Sequence, residues 1–226
     1  MSGIQPQTDF GSASFMSDTH VTCPNCGYGY ENLRKSTRMF DCPSCGTTLF
    51  RDDDALAPVG NSGEMHDYPM LFGLGDTVHA EGKKYIIQGH ARYDYGRGTW
   101  DEMYGEDSGG QGAWISIDEG DVVIQYPYSG NAGPRRSDPP AVGETFSYSG
   151  TDYTVTEGDT AKCIAVRGQF PELVQVDDEH YFINASGPSG QLLSGEFWEG
   201  GHQWHEGGWL DPFTLRVDRQ DGSSRP

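Results

Sequence analysis

The chain has 226 residues and a formal net charge of −19, with 34 acidic side chains against 15 Lys and Arg. A surface that acidic repels phosphate backbones and anionic lipid, which argues against nucleic acid and membrane surfaces as partners of the whole protein. Hydrophobic residues make up only 35% while Gly (32) and Pro (13) abound, a balance that excludes a long helical bundle and favours short strands joined by glycine turns.

Residues 1–20 are polar and aperiodic and are expected to be disordered. They show neither the basic nor the apolar region of a secretory leader. No later stretch approaches the 18 or more apolar residues of a membrane span. The expectation is a cytoplasmic protein without membrane insertion.

Residues 21–51 carry the strongest signal. Cys23-Pro24-Asn25-Cys26-Gly27 and Cys42-Pro43-Ser44-Cys45-Gly46 are two CPxCG turns. Each can place two thiolates about 3.5–4 Å apart, the edge of a tetrahedron with metal–sulfur bonds of ~2.3 Å. Proline fixes φ inside the turn, and the following glycine permits the positive φ that turns the chain away. The spacing is that of a zinc ribbon, with Cys23, Cys26, Cys42 and Cys45 as ligands. Zinc is the expected metal, and iron in a rubredoxin-like site is the alternative. Four thiolates leave no position for water, so the centre is read as structural. Paired cysteines that hold a metal also suit a reducing compartment. Between the turns, Arg34, Lys35 and Arg38 face Glu31 and Asp41, which reads as a solvated loop that balances thiolate charge.

Residues 52–70, acidic and rich in Gly and Pro, read as a linker. A first β-domain is expected over 71–128, a second linker over 129–141, a second β-domain over 142–216 and a disordered tail over 217–226. The two domains look duplicated. With one constant offset, Gly75 meets Gly143, Asp76 meets Glu144, Thr77 meets Thr145, Gly82 meets Gly150 and Tyr85 meets Tyr153. Each copy therefore opens with a hairpin that turns at Gly82 or Gly150. Further strands are expected at Gln111–Ile117, Asp121–Tyr126, Ala161–Arg167, Leu173–Val176, His180–Asn184 and Leu192–Trp198. Alternation puts Cys163, Ala165 and Arg167 on one face and Ile164 and Val166 on the other. The predicted fold is mainly β: a small zinc ribbon followed by two tandem, duplicated small barrels or sandwiches.

Other chemistry-bearing residues are weaker signals. His202, His205 and Glu206 supply metal-ligand types, yet HxxH lacks the helical spacing of HExxH, and the flanking glycines suggest a loop. Glu102 beside Trp100 and Glu196 beside Phe197 could acquire raised pKa values, but a structural place at a sheet edge is the expectation. Cys163, in mid-strand, reads as an inert buried thiol.

In their order along the chain, several short motifs resemble the bacterial domain of unknown function family 4178. They are Leu74-Gly75-Asp76 with Gly82, Tyr85 and Gly89; Trp100-Asp101-Glu102; Trp114-Ile115; Val142-Gly143 with Gly150 and Tyr153; Gly168 and Pro171; and Glu196-Phe197. By this pattern the resemblance covers about residues 21–215. It implies an amino-terminal CPxCG ribbon and an envelope-stress or membrane-remodelling setting, and it assigns no catalytic residue. The reading is a non-catalytic zinc-binding adaptor or scaffold with a protein partner. The rival is a metal-dependent enzyme with a second metal at His202, His205 and Glu206.

Overall fold

A computed structural model of the chain describes residues 21–30, 33–52, 55–66, 68–129, 132–221 and 224–225. Residues 1–20, read as disordered, lie outside the described residues. The described chain is almost entirely strand and turn, as expected, with one 3-10 turn at Pro188–Gly190.

Two short hairpin pairings build the amino-terminal ribbon. Strands β1 (Val21–Thr22) and β2 (Gly29–Tyr30) pair around the first cysteine turn. Strands β3 (Met39–Asp41) and β4 (Thr47–Asp52) pair around the second. A further strand, β5 (Ala55–Asn61), lies within the stretch expected to be linker and pairs with β4. It carries Pro58, which lacks an N–H, and an edge strand tolerates that loss.

The first repeat contributes β6 (Thr77–Ala80), β7 (Lys83–Asp94), β8 (Thr99–Glu106), β9 (Gly112–Asp118) and β10 (Asp121–Pro127). The second contributes β11 (Thr145–Tyr148), β12 (Thr151–Phe170), β13 (Glu179–Ser186), β14 (Gln191–Trp198) and β15 (Gly201–Leu210). Strands β16 (Arg216–Asp218) and β17 (Ser224–Arg225) follow.

The duplication is visible bond by bond. The amide of Gly75 donates to the carbonyl of Ile87 at 2.9 Å, and that of Gly143 to Val155 at 2.8 Å. The Ile87 amide returns to Asp76 at 3.0 Å, and the Val155 amide to Glu144 at 2.9 Å. The acids themselves repeat a role, Asp76 accepting from the Gly73 amide at 2.9 Å and Glu144 from the Ala141 amide at 3.1 Å. Both hairpins turn through left-handed pairs, Glu81-Gly82 and Ser149-Gly150, matching the twist of the flanking strands.

The repeats do not close separately. Strands β7 to β10 and β12 to β15 form one closed eight-stranded antiparallel barrel, joined where β10 pairs with β15 and β7 with β12. The mainly β class stands, with each repeat supplying half of a common wall. At the second seam, a bulge between Cys163 and Ala165 switches the side-chain face of β12. Cys163 and Val166 therefore share one buried cluster, where strict alternation would have separated them.

Three apolar clusters matter to the site. On the outer wall of the first repeat, Tyr85, Ile87, Met103, Ile115 and Ile124 pack beneath β6 and β16. Val217, in the stretch read as a disordered tail, is 2% exposed in this cluster. On the outer wall of the second repeat, Val155, Ile183, Leu193, Phe197 and Trp204 are covered by Phe146 and Tyr148 of β11. The third cluster runs from the barrel interior (Tyr93, Trp100, Tyr104, Trp114) to the ribbon, where Met39 is fully buried.

Candidate functional site

The four predicted ligands converge. Cys23 Sγ lies 3.8 Å from Cys45 Sγ, Cys26 Sγ lies 3.6 Å from Cys42 Sγ, and all four sulfurs fall within 4.8 Å of one another. A tetrahedron with ~2.3 Å metal–sulfur bonds has edges of about 3.8 Å, so the donor set fits a four-coordinate soft-metal centre. The two turns are built alike. The amide of Gly27 donates to Cys23 O and that of Gly46 to Cys42 O, each at 2.8 Å, and both glycines hold positive φ. Side-chain and backbone hydrogen bonds from Thr47 bring the Cys45 thiol down to about 6. Cys42 also titrates below the usual range: burial works against this, but the nearby Tyr30 hydroxyl and the Ser44 and Cys45 amides outweigh it. Asn25 Nδ2 reaches Cys45 Sγ at 3.5 Å. These groups orient Cys42 and Cys45 and favour their charged forms, whereas Cys26, despite the Tyr28 amide, is pushed up to about 11 by desolvation and by its neighbouring thiols.

The ribbon is fastened to the barrel. Strand β3 pairs with the end of β12, Phe40 opposite Gln169 and Met39 opposite Phe170. Arg34 Nη1 donates to the buried Glu106 Oε2 at 3.0 Å, and Glu106 also accepts from Ser36 and from Tyr104. Arg38 pairs with Asp52 at 2.9 Å. The basic stretch thus neutralises carboxylates, where a balance of thiolate charge was expected.

His202, His205 and Glu206 do not converge. They lie on β15, a strand and not a loop, so successive side chains point to opposite faces. His202 stacks on Phe197 of the outer cluster at 6.0 Å, and Glu206 accepts from Tyr128 at 2.6 Å. His205 faces the barrel interior. Among the described residues, the cysteines are the only group of three or more His, Cys, Asp or Glu placed to hold a metal.

Sequence reasoning underrated the lumen. Glu102 and Glu196, expected at a sheet edge, both point into the barrel, where they line a cavity of about 530 Å³ and a second, adjoining space. Glu102 lies on the third strand of its repeat and Glu196 on the fourth. Burial pushes Glu102 up to about 7, reinforced by the charge of Glu196. Burial and the charge of Glu172 do the same to Glu196. Glu102 accepts from Trp100 Nε1 and Ser116 Oγ, both at 3.2 Å. Burial holds His205, 6% exposed, down at about 4. Cys163, as expected, is a buried thiol, raised to about 12. The signal in the sequence was a single acid amid the aromatic positions Trp100 and Tyr104 on one strand face.

These features define a class: a duplicated antiparallel barrel with a polar lumen, joined to a four-cysteine ribbon. The chain belongs to the family described as Domain of unknown function (DUF4178), whose model matches residues 73–212, more than half its length. That match spans both repeats and leaves the ribbon outside it. No curated protein matches the chain, and no solved structure does. Among the described residues, no helix is long and apolar enough to cross a membrane.

Proposed function

We propose that the protein is a non-catalytic adaptor or scaffold in which a single zinc ion holds together the ribbon that packs on the barrel. The supporting observation is the ribbon joint: four sulfurs spaced for a closed tetrahedron, in turns beside a strand, β3, that pairs with β12 at Met39 and Phe40. A metal so enclosed has no open position for substrate, so its work is to fix the chain around it. The reducing cytoplasm, which keeps four thiolates available, is the compartment proposed for it. The partner is another protein, in the envelope-stress or membrane-remodelling setting that the family resemblance implied. Phe213, 92% exposed in the turn after β15, is a large apolar side chain available for such a contact.

Elemental analysis of purified protein tests the first half, with one zinc per chain expected. A red, iron-bearing protein, or two metals per chain, overturns it. Crosslinking in native lysate tests the second. A protein crosslinked stoichiometrically to the wild type and lost with Phe213→Ser supports the adaptor, and crosslinks that do not change with this substitution remove Phe213 from the contact.

A further inference from the structure

The barrel interior carries chemistry that a structural zinc and a protein partner leave unused. The cavity of about 530 Å³ lies within the range of small-molecule sites. Six acids line it: Glu102 and Glu196 on the wall, and Glu172, Asp178, Glu179 and Glu199 nearer the rim. No Lys or Arg lines it, and none lines the adjoining space, where Asp118, Glu119, Asp121 and Glu157 are added. Of the cations beside these spaces, Arg97 reaches Glu157 at 3.8 Å and Asp159 at 3.3 Å, and Lys162 pairs with Asp177 at 2.9 Å, their side chains 64% and 41% exposed. Acids drawn into a protein interior are normally paired, and Glu196, half-buried in the wall, has no hydrogen-bond or ion-pair partner among the described residues.

A second, independent observation lies on another strand. His205 is 6% exposed, lines the same cavity, and has no hydrogen-bond partner among the described residues. Its imidazole is neutral at physiological pH, so one ring nitrogen is a free acceptor. An unpaired carboxylate and a neutral imidazole together seek a donor with positive charge.

We propose that the lumen binds a small organic ammonium ion. Its N–H groups would be taken by Glu196, Glu102 and the free nitrogen of His205. Its alkyl part would lie against Tyr93 and Trp114, whose ring faces also attract cations. A compact divalent ion fits less well, because no three lumen ligands converge as the four cysteines do. An anion meets only like charge, and a neutral ligand leaves the carboxylates unpaired.

Binding should release protons. The titratable groups facing Glu102 and Glu196 are Tyr93 on β7, Cys163 on β12, His180 on β13 and His205 on β15. Burial raises Tyr93 and Cys163 and lowers both histidines, so these four are neutral near pH 7. At the rim, burial raises Glu172 above its ordinary range as well, and Asp178, Glu179 and Glu199 add acceptor oxygens. Glu102 and Glu196, each raised to about 7, are partly protonated, and an arriving cation favours their ionised forms.

The test is titration calorimetry of the full zinc-loaded chain with n-butylammonium at pH 7, in two buffers of different ionisation enthalpy. n-Butanol and Ca²⁺ serve as comparison ligands. The expected result is saturable binding of the ammonium ion, at least tenfold tighter than the alcohol or Ca²⁺. It should release about half to one proton and tighten from pH 6 to pH 8. Glu196→Gln and Glu102→Gln should each weaken binding tenfold or more, and His205→Phe should weaken it while leaving proton release. Equal affinity for butanol would show an apolar pocket and overturn the proposal. Preferential Ca²⁺ binding, or no binding of the ammonium ion by the folded wild type, overturns it equally. Because the comparison among ligands uses only the wild type, it stands even where a variant fails to fold. Zinc content is read on the same sample, so failure here leaves the adaptor reading intact.

Discussion

Removing the metal should melt the ribbon and spare the barrel. The ribbon's own buried core is Phe40, Leu49, Cys23 and Cys42, so half of it consists of cysteines from the four-sulfur cluster. A structural zinc in a small ribbon contributes roughly 10–16 kcal/mol of apparent free energy. Whole domains are stable by only about 5–15 kcal/mol, so nothing else in the ribbon is large enough to replace it. The barrel keeps two outer clusters that no ribbon residue joins. Hydrogen exchange read by mass spectrometry, with and without a zinc chelator, is the assay. Amides of β3 and β4 should lose at least about a thousandfold protection, or about 4 kcal/mol at 1.4 kcal/mol per tenfold. Amides in β8 to β10 and β13 to β15 should stay within about tenfold. Protection of β3 and β4 that survives in demonstrably metal-free protein would refute the reasoning.

Three further outcomes follow from the barrel. Gly82→Ala and Gly150→Ala place a Cβ at φ of 76° and 81° with nothing within 4 Å, so each should cost about 1–2 kcal/mol for conformation alone. Denaturant midpoints should fall together, and unequal losses would count against equivalence of the repeats. His205 titrates at about 4 in the folded chain against 6.5 when free, so the unfolded chain takes its proton first as pH falls. Its contribution is complete above pH 6.5 and is lost toward pH 4, about 3 kcal/mol in all. His205→Gln should flatten the stability profile in that window, and parallel profiles would show that the ring is not sealed. Glu196 has the opposite sign: its folded value of about 7 exceeds the free 4.5, so protonation favours the folded state as pH falls from 7 to 4.5. Glu196→Gln should therefore be more stable than the wild type at pH 8, by roughly 1–3 kcal/mol, and lose that advantage by pH 5. Thermal unfolding at the two pH values decides it.

What could be read in the sequence was what neighbouring residues determine. The cysteine turns and the Gly82 and Gly150 hairpins each depend on a few adjacent residues whose types dictate the local backbone. Closure of the barrel was not legible, because it rests on pairing β7 with β12, and alternation reads the same in one barrel or two. The segment Leu173–Val176 has strand composition but runs without regular pairing along the cavity. The glycines around His202 and His205 suggested a loop, yet Gly207 is required within a strand. A Cβ there would come within 2.0 Å of the carbonyl oxygen of Ile124 on β10. Glycine in that position marks close approach of two backbones, and composition alone does not distinguish this from a turn.

A barrel whose lumen carries acids beside its aromatic cluster takes much of its apolar packing from the outer wall, and the duplication supplies it. Each repeat begins with a short strand, β6 or β11, that lies outside the ring of eight and covers an apolar cluster on the outer wall. With the wall secured from outside, Glu102, Glu196 and His205 can occupy the interior at a cost in stability the fold can bear, and such local conflict is expected where a site is kept for use. The metal centre is not remote from this interior. Segment 171–178 borders the cavity and is held on both sides. The Val174 amide donates to Met39 Sδ at 3.1 Å and Gln175 Nε2 to the carbonyl of Val59 at 3.1 Å, both in the ribbon unit. On the barrel side, the Asp177 amide donates to Cys163 O at 2.8 Å. A ribbon without a metal would release two of these three restraints, so an ion held by the four cysteines, though closed to chemistry, would help to set the shape of the lumen's mouth.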